Sequence, residues 1–470
     1  MKKVISLVFV SILILSGLGA GAFSIKNTSI KQFLTDEFDM IIITPTNLSD
    51  YLIPLLEHKN QHMIFTKIVK LEEIFNSTYF PIEGRDNAEK IKYFIKNSIE
   101  NWNIKYVLLV GGKEEMPARY IHISSPSGPS HFISDLYYSD IYDENMSFCS
   151  WDSNENSVFG EMDDENIIDS VDLNPDICIG RILCKTGTEV SIVVNKIIDY
   201  ESTDISSKTW FKNMILCGGD EQPYIILEFL LPLILKRIGR VAFEGEFMSK
   251  QIQLLLNDFN SKKIFTSKNI GNDALGFTIE NINNAINDGA GFLVFNTHGH
   301  TDRIVTHPPF NKNVWLPSLS GYSTSDVINL TNGEKLPIAV FNACLCGDFE
   351  SSMSPLAWEF IKHNDGGSIA SIACTTVSDM LPGTLCVESL LGYLTKEFFL
   401  KYSEGNQILG EIWKESIRSY LNNEEALRLG APDITIGRLT LIETPCFLNH
   451  FVMEEWILLG DPSLKIGGYS

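Results

Sequence analysis

Short, almost wholly apolar runs that alternate with segments of helical periodicity are the feature that most constrains the fold of this chain. Runs such as Asp39–Thr44 and Lys105–Val110 show no polar alternation in their centres, and amphipathic segments such as Ala88–Glu100 lie between them. Strands with this near-continuous hydrophobicity are typical of parallel sheets that helices cover on both faces. The pattern therefore predicts an α/β fold built on a parallel sheet.

The alternation runs along the chain twice, with a break near residue 205. The first set of predicted strands is Asp39–Thr44, Lys67–Val69, Lys105–Val110 and Ile177–Ile182. The second set is Asn213–Cys217, Gly291–Asn296, Ile338–Asn342, Ser368–Ala373 and Leu464–Ile466. We predict two adjacent doubly wound α/β subdomains, 23–205 and 206–470, with a polar, acidic insertion over 120–175 in the first.

The first residues have the form of an export signal. Met1–Lys3 is basic, Val4–Leu15 is apolar, and Ala20–Ala22 fits a small-residue cleavage site. This order predicts a signal peptide over 1–22 and a secreted or cell-surface protein. The alternative is that the leader is retained as a membrane anchor, since twenty uncharged residues from Val4 to Phe23 could just span a bilayer.

The composition limits the classes of partner that we expect the protein to bind. The 470 residues include 37 Lys+Arg and 59 Asp+Glu, which gives a net charge of −22. Such an acidic chain is repelled by nucleic acid and by anionic membrane surfaces, so we expect neither as a partner. The nine cysteines are scattered rather than spaced as a disulfide scaffold. An odd number in an exported chain favours a search for a thiol that is kept free for chemistry.

A histidine and a cysteine follow two of the predicted strands. The run Gly291–His300 ends in His298-Gly299-His300, and the run Pro337–Asp348 places Cys344 after its apolar core. Side chains at the carboxyl ends of parallel strands gather in one crevice. A thiol with a nearby imidazole to take its proton can attack a carbonyl, and a glycine lets that carbonyl approach the backbone.

Other interpretations of these residues remain open at this stage. Either residue alone is more often a buried cysteine or a satisfied histidine, and only the ordered pair favours nucleophilic catalysis. His300 is a second imidazole that could act as the base. Cys344-x-Cys346 with His298 could also form a metal or redox site, although a fourth ligand is missing from the pattern.

The ordered motifs resemble the gingipain-type cysteine peptidases, whose catalytic unit is similar to the caspase fold. The matching segments are Asn296–Gly299, Asn342–Phe349, Tyr106–Gly112, Met116–Arg119, Ile179–Ile182 and Leu459–Leu464. The resemblance implies an N-terminal α/β subdomain without catalytic residues and a caspase-like C-terminal subdomain that carries them. It implies Cys344 as the nucleophile, His298 as general base and acid, and an oxyanion hole formed by the N–H groups of Gly299 and Cys344. Cys346 is incidental in this scheme.

The resemblance also points to a substrate pocket, with departures. Relatives that cleave after arginine or lysine keep an acidic pocket residue, and the corresponding stretch here is short, with Asp220 and Glu221 as candidates. The loop after Cys374 is expected to line the same pocket with Ser378 and Met380. The preferred substrate residue therefore stays open.

The stretch 152–165 has the form of a calcium loop. Its candidate ligands are Asp152, Asn154, Asn156, Val158 and Glu161, with Asp135 and Asp140 as further oxygen donors. The sixth position holds Ser157 where an EF-hand needs glycine, so the loop is not that motif. The expectation is a structural calcium ion, with a solvated acidic loop as the alternative, and no cofactor for catalysis.

The predicted function is that of an exported cysteine endopeptidase, which hydrolyses peptide bonds through a thioester on Cys344. Resolution of the thioester by an amine would instead make the protein a transpeptidase. The remaining alternative is a catalytically inactive surface protein that binds peptides. The expected partner is a protein or peptide substrate, with no membrane contact unless the leader is retained.

Overall fold

The computed structural model describes residues 37–125, 128–163, 166–223, 243–267, 273–318, 320–429, 434–436, 439–442 and 448–469. The predicted signal peptide, 1–22, lies outside these residues. Within these ranges, none of the helices combines the length and apolar character that a bilayer-spanning helix needs.

The strands are short, and seven of them are buried along their whole length. They are β1 Met40–Thr44, β2 Thr66–Lys70, β3 Tyr106–Val110, β4 Tyr120–Ser125, β5 Gly128–Ile133, β6 Met162–Asp163, β7 Cys178–Ile182, β8 Asn213–Gly218, β9 Asn260–Phe265, β10 Leu275–Gly276, β11 Phe292–Asn296, β12 His298–His300, β13 Arg303–Val305, β14 Tyr322–Ser323, β15 Ile338–Asn342, β16 Ala370–Cys374, β17 Ile434–Ile436, β18 Leu439–Ile442 and β19 Trp456–Leu459.

The helices lie between these strands in the chain. They are α1 Ile53–Gln61, α2 Leu71–Phe75, α3 Asn87–Trp102, α4 Gly187–Ser202, α5 Glu244–Leu255, α6 Ile279–Asp288, α7 Thr324–Val327, α8 Leu356–Lys362, α9 Leu390–Ser403, α10 Leu409–Leu421, α11 Glu424–Leu429 and α12 Leu448–Glu454. Short 3₁₀ turns occur at Thr46–Leu52, Leu136–Tyr138, Ile205–Ser207 and Gly383–Val387.

One sheet of eleven strands runs through the molecule, in the order β10-β9-β8-β11-β15-β16-β19-β7-β3-β1-β2. Every neighbouring pair is parallel except β16 and β19. All five residues of β1, β3, β7, β11, β15 and β16 are buried, which means that both faces of the sheet are covered. The predicted α/β class with two adjacent wound units is confirmed.

Strand β19 joins the two units into a single sheet. It runs antiparallel to β16 from Ser371 to Cys374, and Leu459 pairs with Arg181 of β7 on its other side. The chain beyond it is held by a buried ion pair, since Lys59 Nζ lies 2.6 Å from Asp461 Oδ2. The two units therefore share one core, and residue 205 falls in a 3₁₀ turn between α4 and β8.

Local sequence signals explain where the two long helices of the first unit begin. Asp86 accepts a hydrogen bond from Glu89 N at 2.8 Å and so caps α3. Thr186 and Glu189 form a reciprocal capping box at the start of α4. Each cap satisfies backbone N–H groups that the first turn of a helix leaves without partners.

The acidic insertion packs more tightly than its composition suggests. It contains strands β4, β5 and β6, and its aromatic side chains Tyr137, Tyr138 and Trp151 are almost fully buried. Trp151 Nε1 donates to Asp140 Oδ2 at 2.6 Å. The insertion therefore carries part of the core, which the interpretation as a polar segment did not anticipate.

Two strand predictions differ from the structure. The closing strand is Trp456–Leu459, so the prediction of Leu464–Ile466 was wrong; Leu464 and Ile466 are buried but lie beyond the strand. Strand β9 was missed because it lies next to the edge of the sheet. Its lysines Lys262 and Lys263 are partly exposed there, which removes the continuous apolar signal.

Candidate functional site

His298 and Cys344 follow neighbouring parallel strands at the same edge of the sheet. Strands β11 and β15 pair in register, with Asn296 opposite Asn342. His298 and Cys344 each come two residues after this last pair. They therefore lie at the carboxyl edge, where ligands bind in sheets of this kind.

A buried asparagine pair fixes the two strand ends beneath these residues. Asn342 Nδ2 donates to Asn296 Oδ1 at 2.8 Å, and Asn296 Nδ2 donates to Ser249 Oγ on α5 at 2.9 Å. Both asparagines are at most 2% exposed. Hydrogen-bonded buried amides hold one conformation, so the loops after the strands start from fixed positions.

Gly299 lies directly against the backbone of Cys344. A Cβ atom added to Gly299 would come 2.2 Å from the Cys344 carbonyl oxygen and 2.9 Å from the Cβ of Ala343. Only a residue without a side chain allows this approach. The glycine thus brings the His298 strand end and the Cys344 loop into contact.

His298 is held by its Nε2 atom. This nitrogen lies 2.8 Å from the backbone oxygen of Glu221, and a carbonyl oxygen can only accept, so Nε2 carries the proton. Burial lowers the pKa of His298, which the hydrogen bond to Glu221 only partly offsets. A neutral imidazole with a proton on Nε2 has its lone pair on Nδ1, and Nδ1 forms no hydrogen bond in the described part of the chain.

Asp220 and Glu221, the acidic candidates for the substrate pocket, are both buried next to His298. Glu221 Oε1 accepts a hydrogen bond from Thr306 Oγ1 at 2.6 Å, and Oε2 lies 3.5 Å from His298 Nε2. Burial raises the pKa of Glu221 well above its usual range. Asp220 Oδ2 accepts from the Phe310 N–H at 2.8 Å. Both side chains therefore contact the protein around the histidine.

Cys344 is held in its loop by Ser378. Ser378 N–H donates to Cys344 Sγ at 3.3 Å, and Sγ lies 3.4 Å from the Ser378 carbonyl oxygen. Burial raises the pKa of Cys344 to about 11, although the Ser378 N–H acts in the opposite direction. The resting site thus contains a neutral thiol and a neutral imidazole, and a base must remove the thiol proton during reaction.

The loop of Ser378 and Met380 meets the loop of Glu221. Gln222 Nε2 donates to the Met380 carbonyl oxygen at 2.9 Å, which ties the loops together. The Met380 side chain is partly buried against a small apolar cluster of Met248, Cys386 and Val387. The four predicted pocket residues therefore lie in two loops that contact each other.

An aromatic group beside His298 was missed in the sequence. The rings of His307 and Trp315 lie 5.5 Å and 5.6 Å from the His298 ring, both in edge-on arrangements. The His307 ring packs against the Trp315 ring in a tilted arrangement, with a centroid distance of 3.7 Å. These residues belong to a loop whose ends pair at Thr306 and Leu316. No local pattern in this stretch, which also contains Phe310 and Val314, indicates that its rings lie beside His298.

The alternatives to His298 and Cys344 have other surroundings. His300 Nδ1 lies 3.1 Å from Asp302 Oδ1 and is half exposed. Cys346 is fully buried and its Sγ faces the His300 carbonyl oxygen at 3.7 Å. Among the described residues, no group of three or more His, Cys, Asp or Glu side chains is arranged to hold a metal ion.

In the candidate calcium loop the oxygens bond to neighbouring protein groups. Asp152 pairs with Arg85 at 2.5 Å and accepts from the N–H groups of Asn156 and Ser157. Glu161 Oε2 accepts from the side-chain amides of Asn154 and Asn156, at 3.4 Å and 2.9 Å. The remaining candidate, Val158, donates its N–H to Asn156 Oδ1. Calcium binding would have to replace these donors, and it stays a prediction.

Comparison with known proteins gives one consistent result. The family model for Peptidase family C25 matches residues 34–467. Gingipain R2 of Porphyromonas gingivalis strain W83 is 24% identical over 438 residues, which cover 91% of this chain and 46% of that relative. Gingipain R1 of Porphyromonas gingivalis is 24% identical over the same length, covering 91% of this chain and 34% of that relative.

Solved structures agree on the fold. The crystal structure of the Arg-specific cysteine proteinase gingipain R aligns with a TM-score of 0.62 at 19% identity, covering 92% of this chain and 79% of that one. The complex of the Porphyromonas gingivalis RgpB pro- and mature domains aligns with a TM-score of 0.61 at 18% identity, with coverages of 91% and 79%. The chain spans less than half the length of the curated relatives named above. The match over 434 consecutive positions, 34–467, shows that the chain belongs to Peptidase family C25.

Proposed function

We propose that the protein is an exported cysteine endopeptidase that cleaves peptide bonds with Cys344 as nucleophile and His298 as general base and acid. The observation that carries this proposal is the paired strand ends. They bring Gly299 against Cys344, while the Glu221 backbone oxygen accepts a hydrogen bond from Nε2–H of His298, which leaves the lone pair on Nδ1 as the base. Family membership supports the same chemistry.

The proposed reaction starts from the neutral pair. His298 Nδ1 accepts the Sγ proton as the sulfur attacks the carbonyl carbon, and the N–H groups of Gly299 and Cys344 hold the oxyanion. The imidazolium then protonates the leaving amine as the C–N bond breaks, which leaves an acyl thioester on Cys344. Water, deprotonated by His298, hydrolyses the thioester and restores the thiol.

Glu221 supports this cycle through position. Its backbone oxygen fixes the tautomer of the imidazole, and its carboxyl group lies 3.5 Å from the same nitrogen. The Glu221 carboxyl is itself held by the hydrogen bond from Thr306 Oγ1, which fixes the loop that carries this carbonyl. We assign Glu221 as a residue that positions His298, rather than as the acidic residue of the substrate pocket.

The proposed substrates are proteins or peptides, bound where the loop of Ser378 and Met380 meets the loop of Asp220. Export is proposed from the leader pattern of 1–22. The substrate side chain that the protein prefers before the scissile bond is determined by the cleavage experiment below.

The test is cleavage of a mixed peptide library by the exported protein, under reducing conditions with calcium, with cleavage sites read by mass spectrometry. We expect cleavage by the wild type and by Cys346→Ala, and none by Cys344→Ala. Cleavage that persists in Cys344→Ala would refute the proposal. Peptides joined to an added amine rather than hydrolysed would indicate a transpeptidase, and peptide binding without turnover would indicate an inactive binding protein.

A further inference from the structure

A buried glutamate lies behind the Cys344 loop, and the reaction described above does not use it. Glu455 lies between α12 and β19 and is 0% exposed. Its Oε2 atom has no hydrogen-bond partner in the described part of the chain. A carboxylate in such a place would be costly, and burial raises the pKa of Glu455 well above its usual range, so the group is a neutral acid.

Glu455 holds both ends of the segment Thr375–Ser378, which contacts the thiol of Cys344. Its side chain, through Oε1, accepts a hydrogen bond from Ser378 Oγ. Its backbone oxygen accepts from Thr375 N at 2.8 Å and from Thr375 Oγ1 at 3.0 Å. Ser378 in turn donates its N–H to Cys344 Sγ at 3.3 Å. A continuous path of hydrogen bonds therefore links the buried glutamate to the sulfur.

Other hydrogen bonds hold the neighbours of Ser378: Leu345 N–H donates to the Thr376 carbonyl oxygen at 2.8 Å, and Gln222 Nε2 donates to that of Met380 at 2.9 Å. Val377, next to Ser378, is 58% exposed, so the chain here lies at the surface. The hydrogen bond to Glu455 ties the Ser378 side chain to a fully buried residue.

We propose that Glu455 is a positioning residue for the nucleophile: by binding Ser378 Oγ it keeps the Ser378 N–H directed at Cys344 Sγ. This N–H favours the thiolate, because a hydrogen bond to a charged acceptor stabilises the charged form. The inference deepens the proposed function and rests on it for its meaning, since it concerns the same sulfur.

The neighbouring residue provides a matched control. Glu454 is also buried, at 1% exposure, and its Oε2 also has no hydrogen-bond partner among the described residues. The charges that act on Glu454 are those of Asp140 and Asp169, in the insertion rather than at Cys344. Loss of Glu454 therefore reports the general cost of removing a buried glutamate from this junction.

The experiment measures alkylation of Cys344 by iodoacetamide in the full-length protein, from pH 6 to pH 10, with the labelled residue identified by mass spectrometry. Glu455→Ala should slow alkylation at pH 8 about tenfold, the worth of one hydrogen bond to a charged group, and shift the profile to higher pH. Glu455→Gln, which can still accept from Ser378, should stay within about twofold of the wild type. Glu454→Ala should leave the profile unchanged, and Ser378→Ala should resemble Glu455→Ala.

Three results would overturn the inference. They are an unchanged profile in Glu455→Ala, an equal slowing in Glu454→Ala, and faster alkylation in Glu455→Gln, which would mean that charge rather than position matters. If Glu455→Ala does not fold, Ser378→Ala decides, and a wild-type rate in that variant contradicts the inference. Alkylation needs no substrate, so a wild type that is labelled but cleaves no peptide would refute the peptidase and not this proposal.

Discussion

The two halves of the sheet differ in how buried polar groups at the carboxyl ends of their strands are hydrogen-bonded. In the first half, Arg181 on β7 is 0% exposed, and its Nε and Nη2 atoms each lie 2.7 Å from an oxygen of Asp135. Its Nη1 donates to the Gly111 carbonyl oxygen at 3.1 Å. In the second half, the buried atoms Glu221 Oε2 and Asn342 Oδ1 have no hydrogen-bond partner among the described residues.

The difference separates stability from chemistry. A bidentate arginine–carboxylate pair in the interior fixes the first edge, and Arg181 donates its hydrogen bonds to Asp135 and Gly111. The second edge carries a thiol, an imidazole and a carboxyl group, on Cys344, His298 and Glu221. We expect substitutions at the first edge to reduce the free energy of unfolding and substitutions at the second to reduce the rate of reaction.

The largest expected effect is on the rate, at the second edge. His298→Ala should lower peptide cleavage by about 10³-fold or more while leaving the melting temperature close to that of the wild type. His300→Ala, which alters the neighbouring imidazole paired with Asp302, should lower it far less. If His300→Ala does not cleave peptides and His298→Ala does, the assignment of the base is reversed.

The next effect is on stability, at the first edge. Arg181→Ala leaves the Asp135 carboxylate buried without its partner, and we expect a loss of about 3–5 kcal/mol in the free energy of unfolding. Urea denaturation followed by fluorescence measures this loss. The rate per folded molecule should not change, and a rate loss without a stability loss would break the comparison between the two edges.

A pair of glycine variants compares the edges directly. Gly299→Ala places a Cβ 2.2 Å from the Cys344 carbonyl oxygen, so the strand end and the loop must separate. A displacement of about 1 Å at a reacting centre costs roughly 10²-fold in rate. Gly112→Ala in the first half is the control, since its Cβ would meet nothing nearer than 3.4 Å. Equal rates of cleavage for the two variants would contradict the account.

The pH dependence of the thiol sharpens the description of the second edge. The thiolate is the reactive form, and the pKa of Cys344 is raised to about 11, so the thiolate fraction should rise tenfold per pH unit below that value. Alkylation of Cys344 should therefore increase steadily from pH 7 to pH 10. A plateau that begins below pH 8 would show a preformed thiolate–imidazolium pair instead.

The smallest expected effect concerns the candidate calcium loop. If the loop binds calcium, chelation should lower the melting temperature by a few degrees, as loss of a ligand of the folded state does. Asn156→Ala should be less stable in calcium and insensitive to the chelator. An unchanged melting curve for the wild type would remove the calcium prediction.

The fold was readable from the sequence where burial is complete on both faces. Strands such as Ile338–Asn342 and Phe292–Asn296 are apolar up to their final asparagine because all of their residues are buried. The partly exposed β9 carries lysines and has no such signal. The closing strand was misplaced because Leu464 and Ile466 are buried outside the sheet, and apolar character reports burial rather than hydrogen bonding.

The site was only partly readable for a similar reason. His298 and Cys344 stand out because each directly follows an apolar strand. Glu221 contacts His298, and Glu455 contacts Ser378, across 77 positions of the chain. Trp315 lies near the His298 ring through the fold of its own loop, so no local pattern connects these pairs. Their roles depend on tertiary contacts that spacing in the sequence does not encode.

The central claim is that Cys344 forms the covalent bond to substrate, and trapping the acyl-enzyme tests it most directly. The exported protein is mixed with a peptide that it cleaves, and the mixture is quenched in acid within one turnover. The protein is then digested for mass spectrometry. The account predicts an acyl group on Cys344 that is absent in Cys344→Ala and in His298→Ala and present in Cys346→Ala. An acyl group on Cys346, or cleavage by Cys344→Ala, would contradict it.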